Sequence, residues 1–281
     1  MAALTPHEME KVLPRALRVY EQTPHQLASP ATLGDAPAVP ITREDFRPDG
    51  RGFVLRNVLS PSECAQFIAA AEALGRMHAL RDDWHIRRVD RVCMMGDDVA
   101  AKIFARVSEH FAPIPPARAG GGLQWRPAGL NPCFRICRYE RGGRFAPHFD
   151  SGFDASPSVR SRQTFMLYLN DANDFDGGAT SFFDARQRAY RAPDPEFAYF
   201  SLAPEAGACV VFDHALLHDG GELRGGTKYI MRSEVMYRRV PVAAAAAPPA
   251  AVAATPPPPP PTPSPPIARQ LPPEANSNPN R

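Results

Sequence analysis

The sequence predicts a mainly β fold with flanking helices, of the sandwich or barrel class. Three observations carry this. Beyond Pro113 the chain breaks into short runs, "CFRICRY", "TFMLYLN", "ATSFF", "ACVVFD" and "KYIMRSEVMY", separated by Gly, Asn and Asp turns. Several short strands at such spacing build a two-layered or closed β structure. The helical patterns precede these runs, so the strand–helix–strand rhythm of a doubly wound sheet is missing. With 281 residues, 44% of them apolar, the chain can bury the core of one large domain or two small ones.

In chain order, residues 1–45 hold one predicted helix, capped by Thr5 with Pro6 in its first turn and Glu8 completing a capping box. The proline-punctuated connector "ASPATLGDAPAVPITREDF" follows. Residues 46–240 form the dense domain. "GFVLRNVL" reads as a strand, and "SPSECAQFIAAAEALG" as a helix with Ser60 as cap, Pro61 first, Glu63 closing a capping box and Gly75 as the stop. A second helix fits "DDVAAKIFARVSEHF", with Asp97 and Asp98 at its positive end. Residues 241–281 are dominated by Pro and Ala, as in "TPPPPPPTPSPP". Proline fixes φ and donates no ladder hydrogen bond, and the segment has too little apolar bulk to offset ordering entropy. It is expected to be disordered, either a plain low-complexity tail or a ligand for a proline-recognition module.

Bulk properties narrow the function. A net charge of +2 provides no strong field for nucleic acid or an anionic membrane. No run of about 18 apolar residues offers a membrane span. The first twenty residues lack a basic start followed by an apolar block, so no secretory signal is expected, and a cytoplasmic or nuclear location is. The 5 cysteines show no paired zinc spacing and are expected to be reduced, buried thiols.

The chemistry concentrates in "YERGGRFAPHFD", Tyr139 to Asp150. His148 and Asp150 are two residues apart, and on a strand such positions project from one face. A third ligand is sought in "FDHALLHDGG", a strand end opening into a Gly turn, which offers His214 and His218. The Glu of HExxH is missing, so a zinc-helix reading fails. His218 is preferred, because its turn leads into a strand that begins ten positions on with Lys228, a cation suited to an acidic cosubstrate. His214 is expected to be structural or to support the ligands. Two His and one carboxylate with open positions form the facial triad of non-haem Fe(II) oxygenases.

The ordered set of Tyr139, Gly-Gly, HxD, the "YLN" strand, "GGAT", "PEAG", "HDG" and Lys228 resembles the Fe(II)/2-oxoglutarate-dependent dioxygenases of the prolyl 4-hydroxylase type. The resemblance covers roughly residues 53–237 and is sharpest from Tyr139 onward. It implies a double-stranded β-helix, or jelly roll, with helices on one outer side. It implies catalytic Fe(II) ligation by His148, Asp150 and His218, and pairing of Lys228 with the distal carboxylate of 2-oxoglutarate. Tyr139 is implied to hydrogen-bond that cosubstrate, and Thr180 to help hold its carboxylate. Dioxygen is the implied co-reactant and ascorbate a candidate reductant. Arg232 departs from the pattern: it lies four residues after Lys228, on the same side of a regular strand, and is an alternative anchor or a substrate contact.

The implied reaction is hydroxylation of an unactivated C–H bond, with a peptidyl proline as the family's suggestion. A free amino acid or other small molecule is the alternative, and a catalytically silent jelly roll acting as a binding module is the rival class. The Arg clusters "RYERGGR" and "HIRRVDRV" read as solvated charge or as contacts to a polar substrate, Trp84, His85 and Trp125 as mouth or core residues, and "GGELRGGTK" as turn glycines rather than a phosphate loop. The loop from "SGF" to Arg160 leaves the metal toward the mouth and is expected to touch substrate.

Overall fold

Both faces of the central strands are apolar, which demands a layer on each side. The structure, a computed structural model, describes residues 25–29, 33–75, 77–80, 86–115 and 122–242. The predicted N-terminal helix, Trp84, His85 and the proline-rich tail from residue 243 on lie outside the described residues. The strands before the first turn region are β1 (His25–Gln26), β2 (Thr42–Asp45), β3 (Gly52–Arg56), β4 (His78–Leu80) and β5 (Arg87–Met95). There follow β6 (Leu123–Leu130), β7 (Cys133–Tyr139), β8 (Arg144–His148), β9 (Asp154–Ser156), β10 (Val159–Tyr168), β11 (Phe175–Gly177) and β12 (Thr180–Phe183). The last are β13 (Ala198–Leu202), β14 (Cys209–Asp213), β15 (His218–Gly220), β16 (Leu223–Gly226) and β17 (Lys228–Pro241). Helices α1 (Pro61–Glu72) and α2 (Asp97–Val107) precede most of them.

The strands form two layers of a jelly roll. The larger has the order β5-β7-β17-β10-β14-β3-β2 and the smaller β13-β12-β15-β8. Strand β5 joins them: Arg87 and Arg88 pair with β8, whereas Asp90 to Met95 pair with β7. Alternation assigns the two sides of the larger sheet. Phe53, Leu55, Phe165, Leu167, Val211 and Met231 pack with Phe67 of α1 and Ile103 of α2. Their neighbours Val54, Met166, Tyr168, Val210, Phe212 and Ile230 pack toward Phe182 of the smaller sheet. The near-continuous apolar runs of β10 and β14 follow from this double burial.

Helix α1 starts where its capping box predicts: Ser60 Oγ accepts from Glu63 N–H at 3.2 Å, and the Glu63 carboxylate accepts from Ser60 N–H at 2.7 Å. The same carboxylate is buried against Arg106 of α2, at 2.8 Å, which locks the two helices together. Gly75, just past the helix, adopts φ +73, a conformation that favours glycine.

Strands β5, β6 and β13 were not among the predicted ones. The charges of Arg87, Arg88, Asp90 and Arg91 disguise β5, whose Arg91 is buried. Pro127 and Gly129 disguise β6, which pairs with the outer half of β17 through a bulge at Met236 and Tyr237. None of the described helices is long and apolar enough to cross a membrane.

Candidate metal centre and cosubstrate pocket

Strands β8 and β15 pair antiparallel with His148 opposite His218, so the fold brings the two imidazoles together from distant parts of the chain. Each ring is oriented in the same way. His148 Nδ1 lies 2.8 Å from Ala146 O, and His218 Nδ1 lies 3.0 Å from Leu216 O. A carbonyl only accepts, so each Nδ1 carries the proton and each Nε2 presents a lone pair. Those Nε2 atoms stand 3.7 Å from Asp150, His148 at Oδ1 and His218 at Oδ2. All three potential ligand atoms lie within 4.8 Å of one another, a cluster able to hold a metal ion.

Asp150 reaches this point by a route different from the predicted pleat. Strand β8 stops at His148, and Asp150 sits in the following loop with its N–H donating to His214 O at 3.1 Å. Its carboxylate is held from two sides. Arg232 Nη2 lies 2.7 Å from Oδ1, and Thr164 Oγ1 donates to Oδ2 at 2.5 Å. With the Thr164 proton so used, Thr164 Oγ1 accepts from His214 Nδ1 at 3.1 Å. His214 Nε2 then accepts from Ser161 Oγ at 2.9 Å, and Ser161 Oγ accepts from Phe153 N–H at 2.7 Å. A one-directional chain of donors thus runs from the backbone of the mouth loop to Asp150.

The electrostatics suit a cation. Burial alone would raise the Asp150 carboxyl, but Arg232 and then the two imidazoles hold it well below the usual carboxylate range. Burial, then the charge of His218, pushes His148 down to about 3, and burial likewise lowers His218. Two neutral imidazoles and one carboxylate face one another.

These groups line a cavity of about 670 Å³. Strand β17 contributes Lys228, Ile230, Arg232 and Glu234, alternate residues of one face. Lys228 lies opposite Tyr139 of β7, and its Nζ is 5.5 Å from the ring centroids of both Tyr139 and Tyr168. Lys228 Nζ donates to Gly178 O at 2.5 Å. Gly178 has φ +69, and a Cβ there would meet Lys228 Cδ at 3.2 Å, so glycine keeps room for the lysine stem. Burial pushes the Lys228 ammonium down to about 8, with Asp219 opposing. Tyr168 OH donates to Thr180 Oγ1 at 2.9 Å, which leaves the Thr180 proton for another acceptor. Burial pushes the Tyr139 phenol up, so it stays a protonated donor.

Lys228 and Arg232 therefore occupy different places. Four residues of strand separate them by about 13 Å, and Arg232 is engaged at the Asp150 carboxylate. Glu234, further along, pairs with Arg135 at 2.6 Å and accepts from Asn131 Nδ2 at 2.7 Å. Arg160 stacks on Trp125, 4.9 Å from its ring centroid, and pairs with Asp154 at 3.3 Å. Asp154 lines the cavity, as do Gly152 and Phe153 of the "SGF" loop. Sequence reasoning missed Thr164, Ser161, Tyr168, Phe149 and Tyr190, because hydroxyls and aromatic residues on strands and turns carry no spacing signal of their own.

Residues 134–233 match the model of the 2OG-Fe(II) oxygenase superfamily. No curated protein matches the chain. Among solved structures, the chain is similar to the viral collagen prolyl hydroxylase vCPH of Paramecium Bursaria Chlorella virus-1, at 19% identity and a TM-score of 0.42, over 72% of this chain and 97% of that one. It is also similar to an oxidoreductase of the 2OG-Fe(II) oxygenase family from Burkholderia pseudomallei, at 15% identity and a TM-score of 0.45, over 67% and 85% of the two chains. A Pseudomonas putida prolyl-4-hydroxylase matches at 14% identity and a TM-score of 0.40, over 70% and 93%.

Proposed function

We propose, from the match of residues 134–233 to the 2OG-Fe(II) oxygenase superfamily, that this chain is a dioxygenase that hydroxylates a proline in a peptide. The observation that carries the site assignment is the set of two Nε2 lone pairs and one ionised carboxylate within 4.8 Å of one another. This donor set fits Fe(II) with open positions. His148, Asp150 and His218 would hold the metal, and Lys228, Tyr139 and Thr180 the distal carboxylate of 2-oxoglutarate. When bound, Fe(II) with 2-oxoglutarate and dioxygen supplies the oxidising power for C–H hydroxylation, with succinate and carbon dioxide as co-products.

The protein's own part is positioning and charge. Ala146 O and Leu216 O fix the tautomers of the two ligand imidazoles. Arg232 and Thr164 keep Asp150 ionised and oriented, and the His214 relay ties that orientation to the mouth loop. Lys228 brings a desolvated ammonium to a place where a carboxylate is its natural partner. Arg232 Nε, buried without a hydrogen-bond partner, is a spare donor at the metal end. This division favours Lys228 as the anchor and gives Arg232 the support of Asp150. Ascorbate serves as a reductant in this scheme, and a reducing cytoplasmic or nuclear setting suits 5 buried free cysteines. We assign the catalytic domain to residues 46–240 and read the tail as a plain low-complexity segment, with a proline-recognition module as its alternative partner.

Incubation of the full chain with Fe(II), 2-oxoglutarate and proline-containing peptides, read by mass spectrometry, tests the substrate. Addition of one oxygen to a proline is expected. Oxidation of free L-proline or another small molecule instead, with every peptide untouched, would replace the peptide reading by the small-molecule one.

A further inference from the structure

Tyr190 lies on the loop between β12 and β13 and has φ +58. A bulky residue in this left-handed region is an outlier, since the turn alone would favour Gly or Asn. The conformation is held from several directions. Tyr190 N–H donates to Pro147 O at 2.6 Å, next to the ligand His148. The buried Gln187 side chain staples the loop, donating to Arg188 O at 3.0 Å and Ala192 O at 3.1 Å and accepting from Asp194 N–H at 2.9 Å.

Burial does not explain the tyrosine, because it is 54% exposed. It nevertheless lines the cavity that holds the triad. Phe149 lines the same cavity and is 51% exposed, at the position where the chain turns outward between two ligands that point inward. Two half-exposed aromatic rings thus mark the rim, one of them held in a strained backbone by a dedicated set of hydrogen bonds. Strain maintained at a residue that stays half open to solvent points to contact with something outside the chain.

We propose that Tyr190 and Phe149 form an aromatic rim that positions a proline-containing peptide across the mouth, with Gln187 as the residue that sets Tyr190. The inference rests on the peptide-hydroxylase reading and extends it to the residues that select the substrate. A ligand enclosed by the cavity gains little from rings half open to solvent. A polymer that continues past the rim covers them. Extended polyproline II segments are preformed and dock on aromatic surfaces, so the rim matches that class of peptide.

The test measures binding of a fluorescently labelled peptide with a Pro-Pro-Pro run to the full chain loaded with Mn(II) and 2-oxoglutarate. Thermal unfolding is followed in parallel. Tyr190→Gly removes both ring and strain: peptide affinity is expected to fall about tenfold or more, with an equal or higher melting midpoint. Tyr190→Phe is expected to bind within about twofold of wild type. Gln187→Ala is expected to weaken peptide binding while 2-oxoglutarate binding, read by calorimetry, persists. Wild-type affinity in Tyr190→Gly overturns the proposal, and so does a lowered melting midpoint accompanied by loss of 2-oxoglutarate binding, which marks a structural residue. Failure of wild type to bind the peptide while binding 2-oxoglutarate overturns the peptide rim but leaves the oxygenase reading standing. Failure to bind 2-oxoglutarate strikes that reading itself.

Discussion

Replacing Lys228 by Met should make the ligand-free protein more stable and weaken its binding of 2-oxoglutarate. Lys228 is 4% exposed, and burial lowers its ammonium from 10.5 to about 8. That displacement corresponds to a cost of roughly 3 kcal/mol for keeping the charge in the folded state at neutral pH. Met fills similar space without the charge. It forfeits the bond to Gly178 O, about 1 kcal/mol, and two ring contacts at 5.5 Å, about 0.5 kcal/mol each. A net gain of about 1–2 kcal/mol is expected without ligand. The pH dependence supplies the sign. Because the folded value is lowered, the unfolded chain binds more protons between about pH 8 and 10.5, so wild-type stability from this group rises across that window. Below about pH 8 the cost is fully present. The Lys228→Met protein should lack the rise. With Lys228 as the proposed 2-oxoglutarate anchor, wild-type affinity should fall as pH passes 8, and Met should cost about 2–5 kcal/mol of it, or 30-fold and more. Urea unfolding with and without 2-oxoglutarate and Mn(II) reads both effects. A destabilised Lys228→Met protein that binds 2-oxoglutarate normally would refute the reasoning and move the anchor elsewhere.

Arg232→Ala removes the guanidinium from Asp150, and metal affinity by Mn(II) titration should drop about 10- to 100-fold; an unchanged affinity would assign Arg232 to a ligand instead. Thr164→Val, which cuts the relay while keeping the shape, should shift metal affinity in the same direction by a smaller factor. Glu63→Gln leaves Arg106 buried beside a neutral partner and should cost about 3–5 kcal/mol in urea unfolding. Arg106 and Ser60 lower the Glu63 carboxyl below 4.5 against the opposing effect of burial, so its stabilisation is present above pH 4.5 and lost as pH falls through the lowered folded value.

Much of this arrangement was readable in the residues because local chemistry and packing agree. Ser60, Pro61 and Glu63 specify a helix start by hydrogen bonds that the chain makes within one turn. The strand of "ACVVFD" carries burial on both faces, visible as an unbroken apolar run. The spacing of Lys228 and Arg232 put both on one face of β17, as the structure has it. What escaped detection depends on contacts between distant segments. No pattern near Asp150 announces Thr164 or Ser161, because their role arises from the pairing of β10 with β14 and the return of His214. Strand β5 escaped because its charges fall on both faces: Arg87 and Arg91 line the cavity, whereas Arg88 is exposed and Asp90 pairs with Arg138. The tyrosine at position 190 looks like any loop aromatic until its backbone angle is known.

The account stands most directly on oxygen-dependent conversion of 2-oxoglutarate to succinate by the full chain supplied with Fe(II), compared among wild type, His148→Ala and Asp150→Ala. Wild type should form succinate, and both variants should lose all but a trace of it. Equal succinate formation by all three proteins, or none by wild type, would contradict the assignment of His148, Asp150 and His218 as the metal site of an oxygenase.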